Sequence, residues 1–253
     1  MYVIRNIPSR VVPYFLWAVL DIILWGFITR YLTQVGGSNF SLVPALLGAV
    51  VFWDFLQRVQ QGLTIPFLED VWAHNLLNIF ASPLTITEYI FGFALNSTLT
   101  STFGLVVMLA LAYAVFGLSM LMLGLALFPF ILVLFLFGLT LGIIGAAIVL
   151  RLGPYAEWFI WPIPAVLGPF VGVFYPVSVL PQWMQYVSHI LPPSGVFEQM
   201  RNLIAGGVFN VEALMVSIAL SLVYLVLAYL IFVYTYRVVV RKGLIARFSA
   251  EGE

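Results

Sequence analysis

Cysteine is absent from this 253-residue sequence, which rules out disulfides and thiolate metal sites and leaves the redox compartment open. Histidine is scarce, with His74 and His189 the only two. The topology argued below puts them on opposite faces of a membrane, so they cannot share a metal or form a catalytic dyad. Each reads as a lone polar residue at an interface, and no metal site is expected. The sequence also lacks G-x-x-x-x-G-K-[ST], G-x-G-x-x-G and H-E-x-x-H, so no motif for nucleotide hydrolysis, dinucleotide binding or zinc proteolysis is present. Charged residues make up 8% of the chain, against about 25% in soluble domains. The formal net charge is zero, so no basic field points to nucleic acid. Internal repeats, low-complexity segments and a soluble domain are missing too. The lack of repeats argues against an inverted-repeat secondary transporter.

What is present is apolar. Hydrophobic residues are 63% of the chain and the mean hydropathy is +1.12. Several stretches of 18 or more residues carry almost no charge, the length a helix needs to cross about 30 Å of hydrocarbon. A transmembrane barrel would show alternating segments of roughly ten residues, and that pattern does not occur. The chain is therefore expected to be an all-α integral membrane protein, one transmembrane domain over residues 1–253. Its six transmembrane helices are expected near 13–32, 42–62, 92–116, 120–149, 155–174 and 213–236. The N-terminal run shows no small-residue cleavage site and reads as an uncleaved first span behind an interfacial segment, residues 1–12. An even number of spans puts both termini on one side. Arg5, Arg10, Arg58, Arg151, Arg237, Arg241, Lys242 and Arg247 fall on that side, against Arg30 and Arg201 on the other. The excess of basic residues makes both termini cytoplasmic, with residues 237–253 a cytoplasmic tail.

Two connections are unusual. On the cytoplasmic side, residues 66–84 place Trp72, Leu76, Ile79 and Phe80 at helical spacing, with Glu69, Asp70, His74, Asn75 and Asn78 at other positions. This predicts one short amphipathic helix ended by Ser82-Pro83. Thr85 and Glu88 then form a capping box that starts the next helix. On the outer side, residues 176–207 hold two helices too short to span. Pro181 starts one, with Trp183, Met184, Val187, Ile190 and Leu191 as its apolar stripe opposite Gln182, Gln185, Ser188 and His189. Pro192-Pro193 breaks it, Ser194 caps a second carrying Phe197, Met200, Leu203 and Ile204, and Gly206-Gly207 stops that one. Such a pair forms a re-entrant hairpin between helices 5 and 6 or lies flat in the interface.

Charges inside spans are costly and are functional candidates. Asp54 and Arg58 stand four apart, in the order that favours an ion pair on one helix face. Asp21 has no partner within one turn and must face protein or water. Gly138, Gly142, Gly145 and Ala146 make a small-residue face for close helix packing. Pro129 and the prolines of "WPIPAVLGP" are expected to kink their helices. From the residues alone, an ATP-independent channel or ion-coupled secondary transporter using Asp21, Asp54 and Arg58 stays open. A lipid-acting membrane enzyme would need a convergent nucleophile, base and metal set that the sequence does not supply.

The layout resembles the permease subunits of type-2 ABC (ATP-binding-cassette) exporters. The resemblance covers essentially the whole chain and is most specific at Pro176, Leu180-Pro181, Trp183, Leu191-Pro192 and Arg201. The first cytoplasmic loop departs from that family in carrying little charge, only Glu69 and Asp70 before the Ser82-Pro83 corner. The resemblance implies a permease that pairs with a second copy, as a homodimer, and binds separate ABC ATPase subunits. ATP and Mg would sit on those subunits, with no cofactor in this chain. It also implies that Glu69, Asp70, Trp72, Leu76, Phe80 and Ser82 couple to the ATPase. Pro181, Trp183, Pro192, Glu198 and Arg201 would belong to an outer gate, while Asp21, Asp54 and Arg58 stand, by their own placement, as pathway or structural intramembrane charges. The implied location is the plasma (inner) membrane of a bacterium or archaeon, and the implied cargo a lipid-linked polysaccharide, a lipid or an amphipathic drug-like molecule.

Overall fold

A computed structural model describes residues 19–31, 42–117 and 120–243, together with residues 16 and 34. The expected interfacial segment 1–12 and the tail beyond residue 243, with Arg5, Arg10 and Arg247, lie outside the described residues. Every regular element among the described residues is helical. In chain order they are α1 (19–31), α2 (Leu42–Trp72), α3 (Leu76–Ala81), α4 (Ile86–Phe116), a 3-10 run (Met120–Ala126) and α5 (Leu127–Leu152). A 3-10 turn (Gly153–Ala156), α6 (Glu157–Ile160), α7 (Pro162–Val171), a 3-10 turn (Val177–Val179), α8 (Gln182–Ile190), α9 (Pro192–Ile204) and α10 (Val211–Arg241) follow.

Three of these helices are long and apolar enough to cross a membrane: Ile86–Phe116, Leu123–Leu152 and Val211–Arg241. Helix α2 matches them in length at 31 residues, roughly 46 Å, but is too polar to join them. It carries Asp54, Gln57, Arg58, Gln60, Gln61 and Thr64. Burial explains how it carries them, since no residue from 44 to 71 is exposed. Helices α4 and α5 enclose it, with α9 adding a further contact, so it has no lipid face to keep apolar.

The close approach of α2 and α5 comes from the glycine face of α5. A Cβ on Gly138 would stand 2.8 Å from Val59 Cβ and 2.9 Å from Leu56 O. One on Gly142 would stand 3.1 Å from Gln60 O, and one on Gly145 2.7 Å from Thr64 Oγ1. Thr64 uses the proximity by donating to Gly142 O at 3.1 Å. On the other side of α2, Ser97 of α4 donates to Val59 O at 2.8 Å. The rising order of these pairs shows that α2 and α5 run parallel. Phe130 beside Phe209 and Phe137 beside Tyr224 bring α10 into the same direction. Helix α4 runs against α2, with Arg58 at Gly104 and Phe67 at Tyr89 and Phe93. Helix α1 also opposes α2, because Asp21 is near Arg58 while Gly26 meets Phe116 at the far end of α4. The α6–α7 segment leaves the end of α5 and finishes with Gly168 against Trp53, beside the start of α5.

Several boundaries differ from the sequence expectations. Helix α2 continues through Pro66 to Trp72, ten residues past its expected end. Helix α4 begins at Ile86, at the expected capping box, rather than near residue 92. Pro129 produces no kink: it falls in the first turn of α5, where its missing N–H would have no helical partner. The break before α5 is at Gly124, whose φ of 55° and ψ of −135° are not helical. The fifth segment is interrupted as expected, with Pro162 opening α7.

Gly138→Val forces a branched side chain into the α2–α5 contact. This variant should lose about 1–3 kcal/mol of stability, read as a lower unfolding midpoint in detergent. Gly92→Ala, at a site with open space around the Cβ, should leave the midpoint unchanged or raise it.

Candidate functional site

The structure gathers the candidate residues into three places: the α3 end of the bundle, the α8–α9 hairpin, and a charge cluster beside α2. At the α3 end, Glu69, Asp70 and Trp72 form the last turn of α2. The chain leaves the helix at His74, which sits in the left-handed region at φ 52°, and re-enters as α3. The single amphipathic helix expected from Trp72 to Phe80 is therefore two helices meeting at a corner. Leu76 turns inward at 3% exposure while Trp72 stays 45% exposed. Phe80 belongs to the α3 backbone, and its side chain lies outside the described residues. Ser82 ends α3, its hydroxyl donating to Ile79 O at 2.6 Å. Both halves of the Thr85–Glu88 capping box form, with Thr85 N donating to Glu88 Oε2 at 2.8 Å.

Asp70 faces back across this corner. Its carboxylate accepts from the Tyr89 hydroxyl and from Asn75 Nδ2 at 3.5 Å, tying the end of α2 to the start of α4. The Tyr89 ring lies 5.5 Å from Phe67 and 4.6 Å from Phe93, and Phe67 lies 6.1 Å from Phe232 of α10. Thr87 and Tyr229 share a 2.8 Å hydrogen bond. The base of the corner is thus a joint of α2, α4 and α10. Tyr89 at its centre was not among the residues the sequence singled out, because its partner is 19 positions away and no local pattern couples the two.

In the hairpin, Pro181 caps α8 and Pro192-Pro193 occupy the first turn of α9, which they start rather than precede. Ser194 is consequently not a cap. It lies buried inside α9 with its hydroxyl 3.1 Å from that of Ser188. Ser188, expected on the polar side of α8, is fully buried and donates to Phe170 O. Trp183 and Ile190, in the expected apolar stripe, are 62% and 55% exposed. The two serine hydroxyls need partners and find them on α7 and α9, so they set which side of α8 turns in.

Arg201 and Glu198 clamp the hairpin to the end of α7. Arg201 Nη1 donates to Gly172 O at 2.8 Å and Val173 O at 3.1 Å, carbonyls that a helix end leaves without partners. Arg201 Nη2 reaches Glu198 Oε1 at 2.7 Å, and the same oxygen accepts from Val177 N at 2.7 Å. Gly172 itself sits in the left-handed region at φ 68°, the conformation that ends α7.

The three intramembrane candidates come together. Arg58 Nε and Nη2 both donate to Asp54, with side chains 10% and 15% exposed. The arginine stem lies along Gly104 of α4, where a Cβ would be 3.1 Å from Cδ. Asp21 of α1 stands within electrostatic reach of the same guanidinium. The cluster joins α1, α2 and α4 around one cation.

An all-helical bundle with three long apolar helices defines a multi-pass membrane component, and comparison with known families identifies which kind. The chain matches the model of the ABC-2 type transporter family over residues 8–205, more than half of its length and inclusive of both the α3 corner and the hairpin. It belongs to that family and is the membrane component of an ABC transporter, matching a type-2 ABC exporter permease. No curated protein matches it.

Arg58→Met strands the Asp54 carboxylate in a buried site, which should cost about 3–5 kcal/mol. The double variant Asp54→Leu/Arg58→Met should recover most of that loss, because it removes both charges. Thermal unfolding of the purified variants checks both.

Proposed function

We propose that this chain is the permease subunit of an ABC exporter, working as a homodimer with two separate ATPase subunits. The observation that carries the reading is the family match, which runs unbroken through the α3 corner and the α8–α9 hairpin. The alternating directions of α1, α2, α4, α5, α6–α7 and α10 support six crossings. With the basic residues counted above, both termini and the α3 end then lie in the cytoplasm, and the hairpin lies at the outer face. The setting is the plasma membrane of a bacterium or archaeon.

In this reading the α3 corner is the coupling element. Trp72, exposed beside it, docks on the ATPase together with Glu69 and the surface of α3. ATP and Mg bind to that partner, and this chain performs no bond chemistry. Closure of the ATPases moves the corner, and the Asp70–Tyr89 bond with its aromatic surround makes α2, α4 and α10 move as a unit. The permease dimer then exchanges inward-open and outward-open states, the equilibrium that ATP and cargo both bias. At the other end, half-length helices α8 and α9 shift as a gate without breaking the hydrogen bonds of a spanning helix. Pro181 and Pro192 fix where each begins, and Glu198–Arg201 sets how the pair hangs on α7. Cargo is a lipid-linked polysaccharide, a lipid or an amphipathic drug-like molecule.

Affinity purification of the tagged chain from its native membrane in mild detergent tests the reading. A soluble ABC ATPase should co-purify in near-equal amount and be lost from Trp72→Ala, while Tyr89→Phe should retain it but weaken the response of the hairpin to ATP. That response is read as the labelling rate of a cysteine introduced at Trp183, in a chain with no other cysteine. A chain that purifies alone and conducts without ATP overturns the proposal.

A further inference from the structure

The last turns of α10 and its C-cap carry three cations, Arg237, Arg241 and Lys242, whose side chains meet no anion among the described residues. Val223, Leu227, Leu230, Tyr234, Arg237 and Arg241 recur at alternating spacings of four and three, which makes them one stripe along the helix. All six are exposed, while Ser221, Ala228, Phe232 and Val239 on the opposite side are buried. The stripe therefore looks away from the bundle. At 31 residues, α10 is roughly 46 Å long, enough for the hydrocarbon and both headgroup layers at about 40–45 Å. Val223, Leu227 and Leu230 then lie along acyl chains, and Tyr234 lies where aromatic belts form. Arg237 and Arg241 stand about 5 and 10 Å further along the axis, at the level of the headgroups.

Arg237 and Arg241 are four apart, which sets two like charges on one face about 5–6 Å apart at Cβ, an arrangement that destabilises a helix. Lys242 adds a third positive charge beside them. The carboxylates that pair with arginine among the described residues are Asp54 and Glu198, both on other helices and both taken. At the same end of the bundle, Asp70 is held by Tyr89 and Asn75 and Glu88 by Thr85. The charge is left to be offset from outside these residues, and the stripe sets the form of what offsets it. A phosphate matches the planar fork of each guanidinium, and the apolar residues in line with the arginines match acyl chains. A soluble anion would leave that apolar part unused, and a zwitterionic headgroup brings a cation of its own.

We infer that the C-terminal end of α10 binds an anionic phospholipid, its phosphate held between Arg237 and Arg241 and an acyl chain lying along Val223, Leu227 and Leu230. The lipid is a bound component of the protein and not its cargo, so the inference depends neither on the ATPase partner nor on the direction of transport.

Native mass spectrometry of the purified full chain tests it, with dioleoylphosphatidylglycerol and dioleoylphosphatidylcholine as probes. Phosphatidylglycerol should be retained about tenfold or more over phosphatidylcholine. One arginine near a membrane surface is worth about fivefold in attraction to anionic lipid. Arg237→Gln should therefore weaken retention about fivefold, and Arg237→Gln/Arg241→Gln about 25-fold. The single variant keeps the test available should the double variant not insert. Arg151→Gln, which removes an exposed arginine at the end of α5, should leave retention unchanged, and this separates a site on α10 from a general attraction to basic residues. Glycerol 3-phosphate at the same concentration should not displace the lipid, and Glu251→Gln/Glu253→Gln should not raise its retention. Equal retention of the two lipids, no loss in the α10 variants, or an equal loss in Arg151→Gln overturns the inference. So does displacement by glycerol 3-phosphate, which assigns the arginines to a free phosphate, or a gain in the glutamate variant, which assigns them to Glu251 and Glu253.

Discussion

Enclosure of α2 is the constraint on which the rest of the structure depends. A helix with an ion pair, three glutamines and a buried threonine cannot face hydrocarbon, because each unpaired polar group there costs several kcal/mol. It survives because α5 offers glycines at three successive turns and α4 offers Ser97 and Gly104, so backbone approaches backbone and the Thr64 and Ser97 hydroxyls hydrogen-bond across the gaps. The lipid-facing work falls to α4 and α10, whose outer sides are apolar and exposed. The division is one polar rod at the centre and apolar staves around it.

The two ends of the bundle are tied down in different ways. At the α3 corner the links are a carboxylate, a phenol and a cluster of rings that holds α2, α4 and α10 together. At the hairpin the links are an arginine and a carboxylate on backbone carbonyls and an amide. The first arrangement resists separation of helices. The second adds polar contacts to a hairpin whose α9 is packed into the bundle through Val196, Phe197 and Met200, while Trp183 and Tyr186 of α8 stay largely exposed.

Features legible in the sequence were those whose physics is local. Thr85 and Glu88 are three residues apart and cap one helix turn, so their pattern carries the whole interaction. The glycine spacing on α5 announced a close contact, though nothing in it named α2 as the partner. Asp54 and Arg58 likewise declared themselves by spacing, while the approach of Asp21 required the fold. Misreadings came where tertiary partners outweigh local pattern. The polarity after residue 62 and Pro66 read as a loop, yet packing carries α2 through both. Ser194 read as a cap because it follows two prolines, but those prolines already begin the helix and Ser188 claims its hydroxyl. Tyr89 gave no signal, since its role rests on a bond to Asp70 and on rings from three helices.

The parallel course of α2, α5 and α10 has an electrostatic side. Peptide dipoles add along each helix, equivalent to roughly half a negative charge at the C-terminal end, and three parallel neighbours place three such ends at the same level. Helix α4, which runs against α2 and begins at the same end, offsets part of this charge. Arg151 in the last turn of α5 and Arg241 in the last turn of α10 stand at two of these ends. Each of these arginines thus complements the dipole of the helix that carries it.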